Sequence, residues 1–404
     1  MNYTISVGIM SAQQICFRFN GAYMFNGKTY KGEQCAELTD GYILFDGQKH
    51  HELLFEGSSD FDLYNVAIGI QFHWQRLETQ RFKGNLKIII GKDKVLADQE
   101  GLIAINIIDI EDYLSSVISS EMSASSSVEL LKAQAVVARS WLLHPLLNPT
   151  PYSKPDFIET YDKHIKWYER DAHSLFDVCA DDHCQRYQGI TKHNLDNVQT
   201  AIEATRGEVL ISMQTGEICD ARYHKSCGGR TETFETCWAN THFSYLESVE
   251  DSFCNTTDRR ILQQVLKNYD QETTDFFRWK VEYSYAEIAQ IIRERSGIDF
   301  GEIKTLVPVK RGPSGRIFEL KIVGTKRTMI VGKELEIRKW LSRSHLYSSA
   351  FTVEQTSNGF ILHGSGWGHG VGLCQIGAAM MAEQGITYTS ILQHYFPNTT
   401  LKKM

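Results

Sequence analysis

Short β-branched and aromatic runs fill the first 110 residues: "ISVGIM", "QICFRF", "YILFD", "NVAIGIQFHW", "NLKIIIG" and "LIAINII". Gly, Asn and Asp separate them, as in "FNGKTYKG" and "FDGQK", so this region reads as strands joined by tight turns. The pattern then changes. Leu131, Ala135, Ala138 and Leu142 recur at helical spacing. Ser126 and Glu129 stand before them as a capping box, in which hydroxyl and carboxylate satisfy two backbone N–H groups that a helix start leaves orphaned. This helix is expected to end near His144, before Pro145. Pro145, Pro149, Pro151 and Pro155 mark an exposed loop.

Farther on, "LDNVQTAIEATRG" predicts a short helix closed by Gly207. Two strands follow, "EVLISM" and "EICDARYHKS", with "QTG" as the turn between them. "SYAEIAQIIRERSG" carries a Ser cap and a Gly stop. "KTLVPVKRGPSGRIFELKIVG" predicts a hairpin around "RGPSGR". The tail is Gly-rich, then helical in "QIGAAMMAEQG" and "YTSILQHYF". No internal repeat stands out. The expected class is α+β with mixed sheets: a β-rich region over 1–103, then a mixed domain over 104–401, with 258–350 as a candidate α/β subdomain.

Composition narrows the function classes. The 404 residues are 42% hydrophobic and 23% charged, as in a soluble globular protein. A net charge of −7 argues against a nucleic-acid partner, which needs clustered Lys and Arg. No run of 18 apolar residues predicts a transmembrane helix. "MNYTISVGIMSAQQICFRFNG" lacks a basic segment followed by an apolar one, and reads as a first strand, not a signal peptide. Nine cysteines are an odd number, so disulfides cannot pair them all.

Four places carry candidate chemistry. In "HGSGWGHGVGLCQIGA" five glycines lie within nine residues (Gly364, Gly366, Gly368, Gly370, Gly372), a density that lets the backbone approach something closely. On an extended backbone Trp367 and His369 would share a face and suit a sugar or another flat polar ligand; the alternative is a strained turn that packs Trp367 into the core. In "RYHKSCGGRTETFETCW", Tyr223 and His224 end a strand that runs into Ser226, Cys227, Gly228 and Gly229, a turn able to aim hydroxyl and N–H groups at a ligand. A plain tight turn with a buried Cys227, or a nucleophilic Cys227 beside His224, are the other readings. In "HSLFDVCADDHC", His173, Cys179, His183 and Cys184 supply two imidazoles and two thiols, the donor set of a closed structural zinc site. A Cys179–Cys184 disulfide or free thiols compete with that, and His164 is the alternative to His173. Last, Glu121 in "ISSEMSASS" is either a catalytic acid or a polar residue at a helix entrance. Lys132 and Arg139, seven residues apart on one helix face, either hold a substrate or are solvated charges.

Taken together, "EDYLSSVISSEM", "LLKAQAVVARSW", "YHKSCGG", "GSGWGHGVGLCQIGA" and "LQHYFPNTTL" resemble, in order, the motifs of the SpoIID family of stage II sporulation protein D and the LytB amidase enhancers. The resemblance covers residues from about 104 to 401; Lys225 is interposed in the Tyr-His-Ser turn. It implies a lytic transglycosylase that cleaves the bond between N-acetylmuramic acid and N-acetylglucosamine, in peptide-stripped glycan for sporulation members, and leaves 1,6-anhydro ends. The family's catalytic glutamate falls on Glu121. Lys132, Arg139, Tyr223, His224, Ser226, Gly228, Gly229, Trp367, His369 and Gln375 would then hold the glycan. Some members resemble the Cys-His segment and are expected to bind zinc there. The implied location is extracytoplasmic, with peptidoglycan strands and a cell-wall amidase as partners. A non-catalytic glycan binder, and a hydrolytic muramidase using Asp109, Glu111 or Asp112 as second acid, are the competing readings.

Overall fold

The computed structural model describes residues 3–68, 76–123, 126–148, 157–168, 173–181, 183–190, 196–265 and 276–404. Two compact units divide the chain: Met1–Ala124 with Glu169–Arg206, and Ser125–Tyr168 with Gly207–Met404. Strands and helices both contribute, and the class is α+β as expected.

In the first unit the strands of residues 3–109 make two sheets. One has the order Gln48–His50, Tyr42–Phe45, Lys28–Thr39, Gln14–Phe25, Phe61–Ile68, Arg76–Phe82. The other runs Val178–Cys179, Thr4–Ala12, Ala97–Asp109, Asn85–Asp93, Glu52–Phe55. Asn26-Gly27, Asp40-Gly41 and Asp46-Gly47 all have positive φ. They join neighbouring antiparallel strands, which is what Asn-Gly and Asp-Gly do in two-residue hairpins. Along Gln14–Phe25, Ile15, Phe17, Phe19, Tyr23 and Phe25 are buried while Arg18 and Asn20 face out. Phe17, Phe19, Phe45 and Phe55 meet with ring centroids 5.1–6.4 Å apart. Each ring removed from water contributes about 1.5–3 kcal/mol. A disulfide, Cys16–Cys35, bridges two adjacent strands of this sheet. The expected division at residue 103/104 falls inside the strand Ala97–Asp109, which pairs on both edges with strands that precede it in sequence. That strand leads directly into helix α1 (Ile110–Glu121).

The second unit opens with helix α2 (Val128–Leu147). Its cap differs from the expected box. Ser127, not Ser126, accepts the N–H of Leu130, at 3.4 Å, while Ser126 Oγ donates to the Gln264 carbonyl at 2.8 Å. Glu129 does not reach back; its carboxylate accepts the Tyr388 N–H at 2.7 Å. Leu131, Ala135, Ala138 and Leu142 are buried, as the spacing predicts. The helix runs past His144 and contains Pro145; Pro149, Pro151 and Pro155 lie outside the described residues. A five-stranded sheet has the order Ile158–Glu159, Lys163–Ile165, Thr328–Gly332, Ile317–Gly324, Ile303–Arg311. Its last two strands are the hairpin around "RGPSGR". One apolar cluster joins Trp279, Ile288, Ile292, Phe300, Leu320, Trp340 and Leu362. Ser284 and Gly297 cap the helix Tyr285–Ser296 as expected. The strand Glu208–Ser212 departs from expectation: it pairs with the C-terminal Thr399–Lys403, and only a bridge, Ile211 to Ile218, crosses the "QTG" turn. No helix among the described residues is long and apolar enough to cross a membrane.

Candidate functional site

Glu121 is the last residue of α1. The helix starts where the Asp109 side chain accepts the Glu111 N–H at 2.9 Å. Its inner face is pinned within its own unit: Tyr113 stacks on Tyr187 at 5.1 Å, and Ser116 Oγ donates to the Gly189 carbonyl at 2.6 Å. Gly189 has φ +58, and a Cβ there would lie 2.0 Å from the Arg81 carbonyl, so glycine is needed for this approach. Ile118, Ser120 and Met122 are buried around a half-buried Glu121, and the last turn holds no basic residue. The carbonyl end of a helix carries partial negative charge, which favours the neutral, proton-carrying form of a carboxyl group placed there. Glu111 and Asp112 occupy the first turn. At 1.5 Å rise per residue they lie about 14–15 Å from Glu121 along the axis. Glycosidase carboxyl pairs are separated by about 5–9.5 Å, so neither these two nor Asp109 pairs with Glu121 as a second acid.

Lys132 and Arg139 share a face of α2, and that face is internally engaged. Lys132 pairs with Glu129 at 2.7 Å, and its ammonium lies 5.5 Å over the Tyr388 ring. Arg139 is 1% exposed and donates to the Glu208 carbonyl at 3.0 Å. The Tyr388 hydroxyl donates to Glu208 Oε2 at 3.1 Å and closes the network. Both cations thus support the packing of α2 on the strand Glu208–Ser212 and the helix Tyr388–Tyr395.

The Tyr-His-Lys-Ser-Cys-Gly-Gly turn and the Gly-rich tail meet directly. Tyr223–His224 pairs in parallel with Leu373–Cys374, and Ser226 and Trp367 exchange two backbone hydrogen bonds of 2.8 and 3.1 Å. Gly366, Gly368, Gly370 and Gly372 all have positive φ, from 73° to 90°. The segment is therefore a series of left-handed kinks, not an extended strand. Trp367 stacks on Phe276 at 4.5 Å, whereas His369 meets His224 at 5.6 Å and Trp238 at 4.8 Å. The two rings face different neighbours, contrary to the single face an extended backbone would give.

What the glycines approach is Arg316, a fully buried residue at the end of the hairpin turn. Its guanidinium donates to the carbonyls of Gly368 at 3.0 Å and Cys227 at 3.2 Å, and to Ser314 Oγ at 2.9 Å. A Cβ on Gly370 would lie 2.4 Å from the guanidinium carbon. Glu232 is buried beside it and accepts from Ser314, Thr233 and Thr236. Burial, followed by the Arg316 charge, holds the His224 imidazole down to about 3, and burial pushes His369 well below its ordinary range. Both rings are neutral at pH 7. His224 Nε2 and Ser226 Oγ are buried without a hydrogen-bond partner among the described residues. Each such group costs about 1–3 kcal/mol, which a polar ligand or an ordered water would relieve. Gly228 and Gly229 follow at φ +80 and +113, and Gln375 opens the helix Gln375–Glu383.

The first unit also assembles the Cys-His segment. The ligand atoms of His173, Cys179, His183 and Cys184 lie within 4.8 Å of one another and could hold a metal ion. Cys184 Sγ is 3.5 Å from both His173 Nε2 and His183 Nδ1. Asp93 takes the other nitrogen of His173, Nδ1, at 2.9 Å. A carboxylate behind a ligand histidine fixes its tautomer and ring orientation, a common support of metal sites. The Cys184 hydrogen bond and burial push the Cys179 thiol up to about 12, so ionising both sulfurs calls for a cation between them. His164 lies in the other unit, bonded to Glu336 at 3.1 Å. Arg316 and Asp93 had no sequence signal, since each acts on a segment 52 to 89 residues away.

A family model described as "Stage II sporulation protein" (SpoIID) matches residues 98–211, which include Glu121. A domain of unknown function, DUF8618, matches residues 232–372, up to the last kink of the Gly-rich segment. An uncharacterized protein of Brachyspira hyodysenteriae is 29% identical over 297 residues, 73% of this chain and 67% of its own. The amidase enhancer of Bacillus subtilis is 28% identical over 318 residues, 71% of this chain and 40% of its own length. Stage II sporulation protein D of Bacillus amyloliquefaciens is 23% identical over 299 residues, 73% of this chain and 75% of its own. With the ordered motifs from "SSEM" to "GWGHGVG", these matches support the SpoIID/LytB family for this chain.

Proposed function

We propose that this protein is a lytic transglycosylase of bacterial peptidoglycan, a lyase that cleaves the bond between N-acetylmuramic acid and N-acetylglucosamine and leaves 1,6-anhydro ends. The similarity to this family supports a role at the cell wall. The observation that carries the chemistry is the position of Glu121 at the carbonyl end of α1, with no carboxylate of α1 near enough to act as its partner. One carboxyl group suffices for this reaction. Neutral Glu121 gives its proton to the glycosidic oxygen as that bond breaks. The resulting carboxylate takes the proton of the sugar's own 6-hydroxyl as its oxygen bonds to the anomeric carbon. The internal nucleophile replaces water and gains from proximity.

Tyr223, His224, Ser226, Gly228, Gly229, Trp367, His369 and Gln375 are read as the glycan-holding turn, with the half-buried Trp367 ring as the flat surface for a sugar. Lys132 and Arg139 are read as supports of α2 instead. The Cys-His cluster is read as a zinc site: two thiolates and two imidazoles fit a closed tetrahedral site, and Asp93 orients one of them. Bound zinc would cross-link Val178–Cys179, at the edge of its sheet, to the loop of His183 and Cys184. The Cys16–Cys35 disulfide agrees with an oxidising, extracytoplasmic location.

Incubation with amidase-stripped glycan strands and mass spectrometry of the ends tests this. Anhydro ends are expected, and Glu121→Gln should abolish them while binding persists. Normal cleavage by that variant would overturn the assignment of Glu121; reducing ends would indicate hydrolysis. The name of the Bacillus subtilis relative favours one second reading, a glycan binder that assists an amidase. Bound but intact strands, together with faster turnover of an added amidase, would support it.

A further inference from the structure

We propose that Cys227, Asp251, Cys254 and Cys374 form a second zinc site, separate from the Cys-His cluster and contained within the second unit. All four residues are buried, and their ligand atoms lie within 4.8 Å of one another. Cys227 Sγ is 3.4 Å from Cys254 Sγ and 3.1 Å from Asp251 Oδ2. Sulfurs bound tetrahedrally at 2.3 Å from zinc lie about 3.8 Å apart, and a sulfur–oxygen pair about 3.6 Å, so these two pairs are within about 0.5 Å of that spacing.

The surroundings suit thiolates. Gly229 N–H donates to Cys227 Sγ at 3.4 Å, and Cys227 N–H donates to Cys374 Sγ at 3.3 Å. Cys374 stands at the N-cap of Gln375–Glu383, where helix N–H groups favour negative charge. Three thiolates and one carboxylate around a dication leave the same net charge as a four-cysteine zinc site, and these N–H groups offset it. Asp251 is held on both sides. Its Oδ1 accepts the N–H groups of Phe253 at 2.9 Å and Cys254 at 3.2 Å, and its Oδ2 accepts the Tyr395 hydroxyl at 3.0 Å. Gly377 leaves the space for this arrangement, because a Cβ there would lie 2.2 Å from the Tyr395 hydroxyl and 2.4 Å from Asp251. The ligands come from three separate stretches, so no spacing motif announces them. Zinc here would fasten the Cys-Gly-Gly turn to the Gly-rich segment through its first and last members, Cys227 and Cys374. This holds whatever reaction the protein performs.

Full-length protein purified under reducing conditions should carry two zinc equivalents by elemental analysis. Cys179→Ser/Cys184→Ser should lose one and keep the other. Cobalt(II) loaded into that double variant should show a sulfur-to-metal charge-transfer band of three-thiolate intensity, a readout that does not require variants of the new site to fold. Cys254→Ser placed in the same background should remove the remaining metal. A natively folded double variant with less than about 0.2 zinc equivalent and no charge-transfer band would overturn the proposal. So would a Cys227–Cys254 disulfide in the purified protein, seen as a cross-linked peptide pair in a non-reduced proteolytic digest.

Discussion

Arg316 and His224 show what one buried charge does to its neighbours. The guanidinium takes carbonyls from two distant segments and helps keep His224 neutral, with its pKa down near 3. A base depressed on folding contributes stability that is present above its ordinary pKa near 6.5 and is lost as pH falls toward the folded value. The unfolded chain binds the proton first, so the loss below pH 6.5 approaches about 1.4 kcal/mol per pH unit for one histidine. His224→Gln should therefore flatten the acid limb of a urea-midpoint-versus-pH curve; an unchanged limb would mean that His224 is not held neutral. At the proposed zinc site of the Cys-His cluster, Asp93→Asn should weaken zinc binding by about 10–100-fold in chelator competition, because His173 loses the carboxylate that orients it. Neither Arg316 nor Asp93 lies in one of the family's motifs. Glu121 does, and the family pattern alone makes it a candidate acid; the sequence pattern sets it at a helix entrance, whereas it ends α1, a helix that this pattern does not predict.

Elements were read best where local chemistry decides them. The Asn-Gly and Asp-Gly hairpins, the Ser284 and Gly297 caps and the "RGPSGR" turn follow from a few adjacent residues. Caps read one residue out of place, as with Ser126 and Ser127, arise because two serines compete and tertiary partners choose: Gln264 takes one and leaves the other to the helix. The Gly-rich segment marks the opposite limit. Its glycines were visible, but their reason was not. Gly385 has φ +79 and open space around it, so Gly385→Ala should cost only the left-handed penalty of about 1–2 kcal/mol. Gly370→Ala has a similar φ penalty and also drives a Cβ into Arg316, which should add about 1–3 kcal/mol. Chemical denaturation of the two variants checks the difference; equal losses would mean that Arg316 does not set the kink.

Over the whole molecule the chain passes between units and back, so that sequence blocks and compact units do not coincide. The strand Ala97–Asp109 needs Thr4–Ala12 and Asn85–Asp93 on its two edges. A fragment of residues 104–401 keeps half of that strand and neither partner. We expect it to lack a cooperative unfolding transition by circular dichroism, whereas the full chain has one; a cooperatively folded fragment would refute this pairing as a requirement. The sequence by itself determined the α+β class, the hairpins and helices built from neighbouring residues, and the family through motifs in order. Only the tertiary structure decided that α2's cations serve its own packing, that Trp367 and His369 face different neighbours, and that Cys227 meets Cys254, Asp251 and Cys374. The reason is physical: turns and caps depend on φ preferences and hydrogen bonds within a few residues, whereas buried charges and metal-type clusters depend on groups that only the folded core brings within bonding distance.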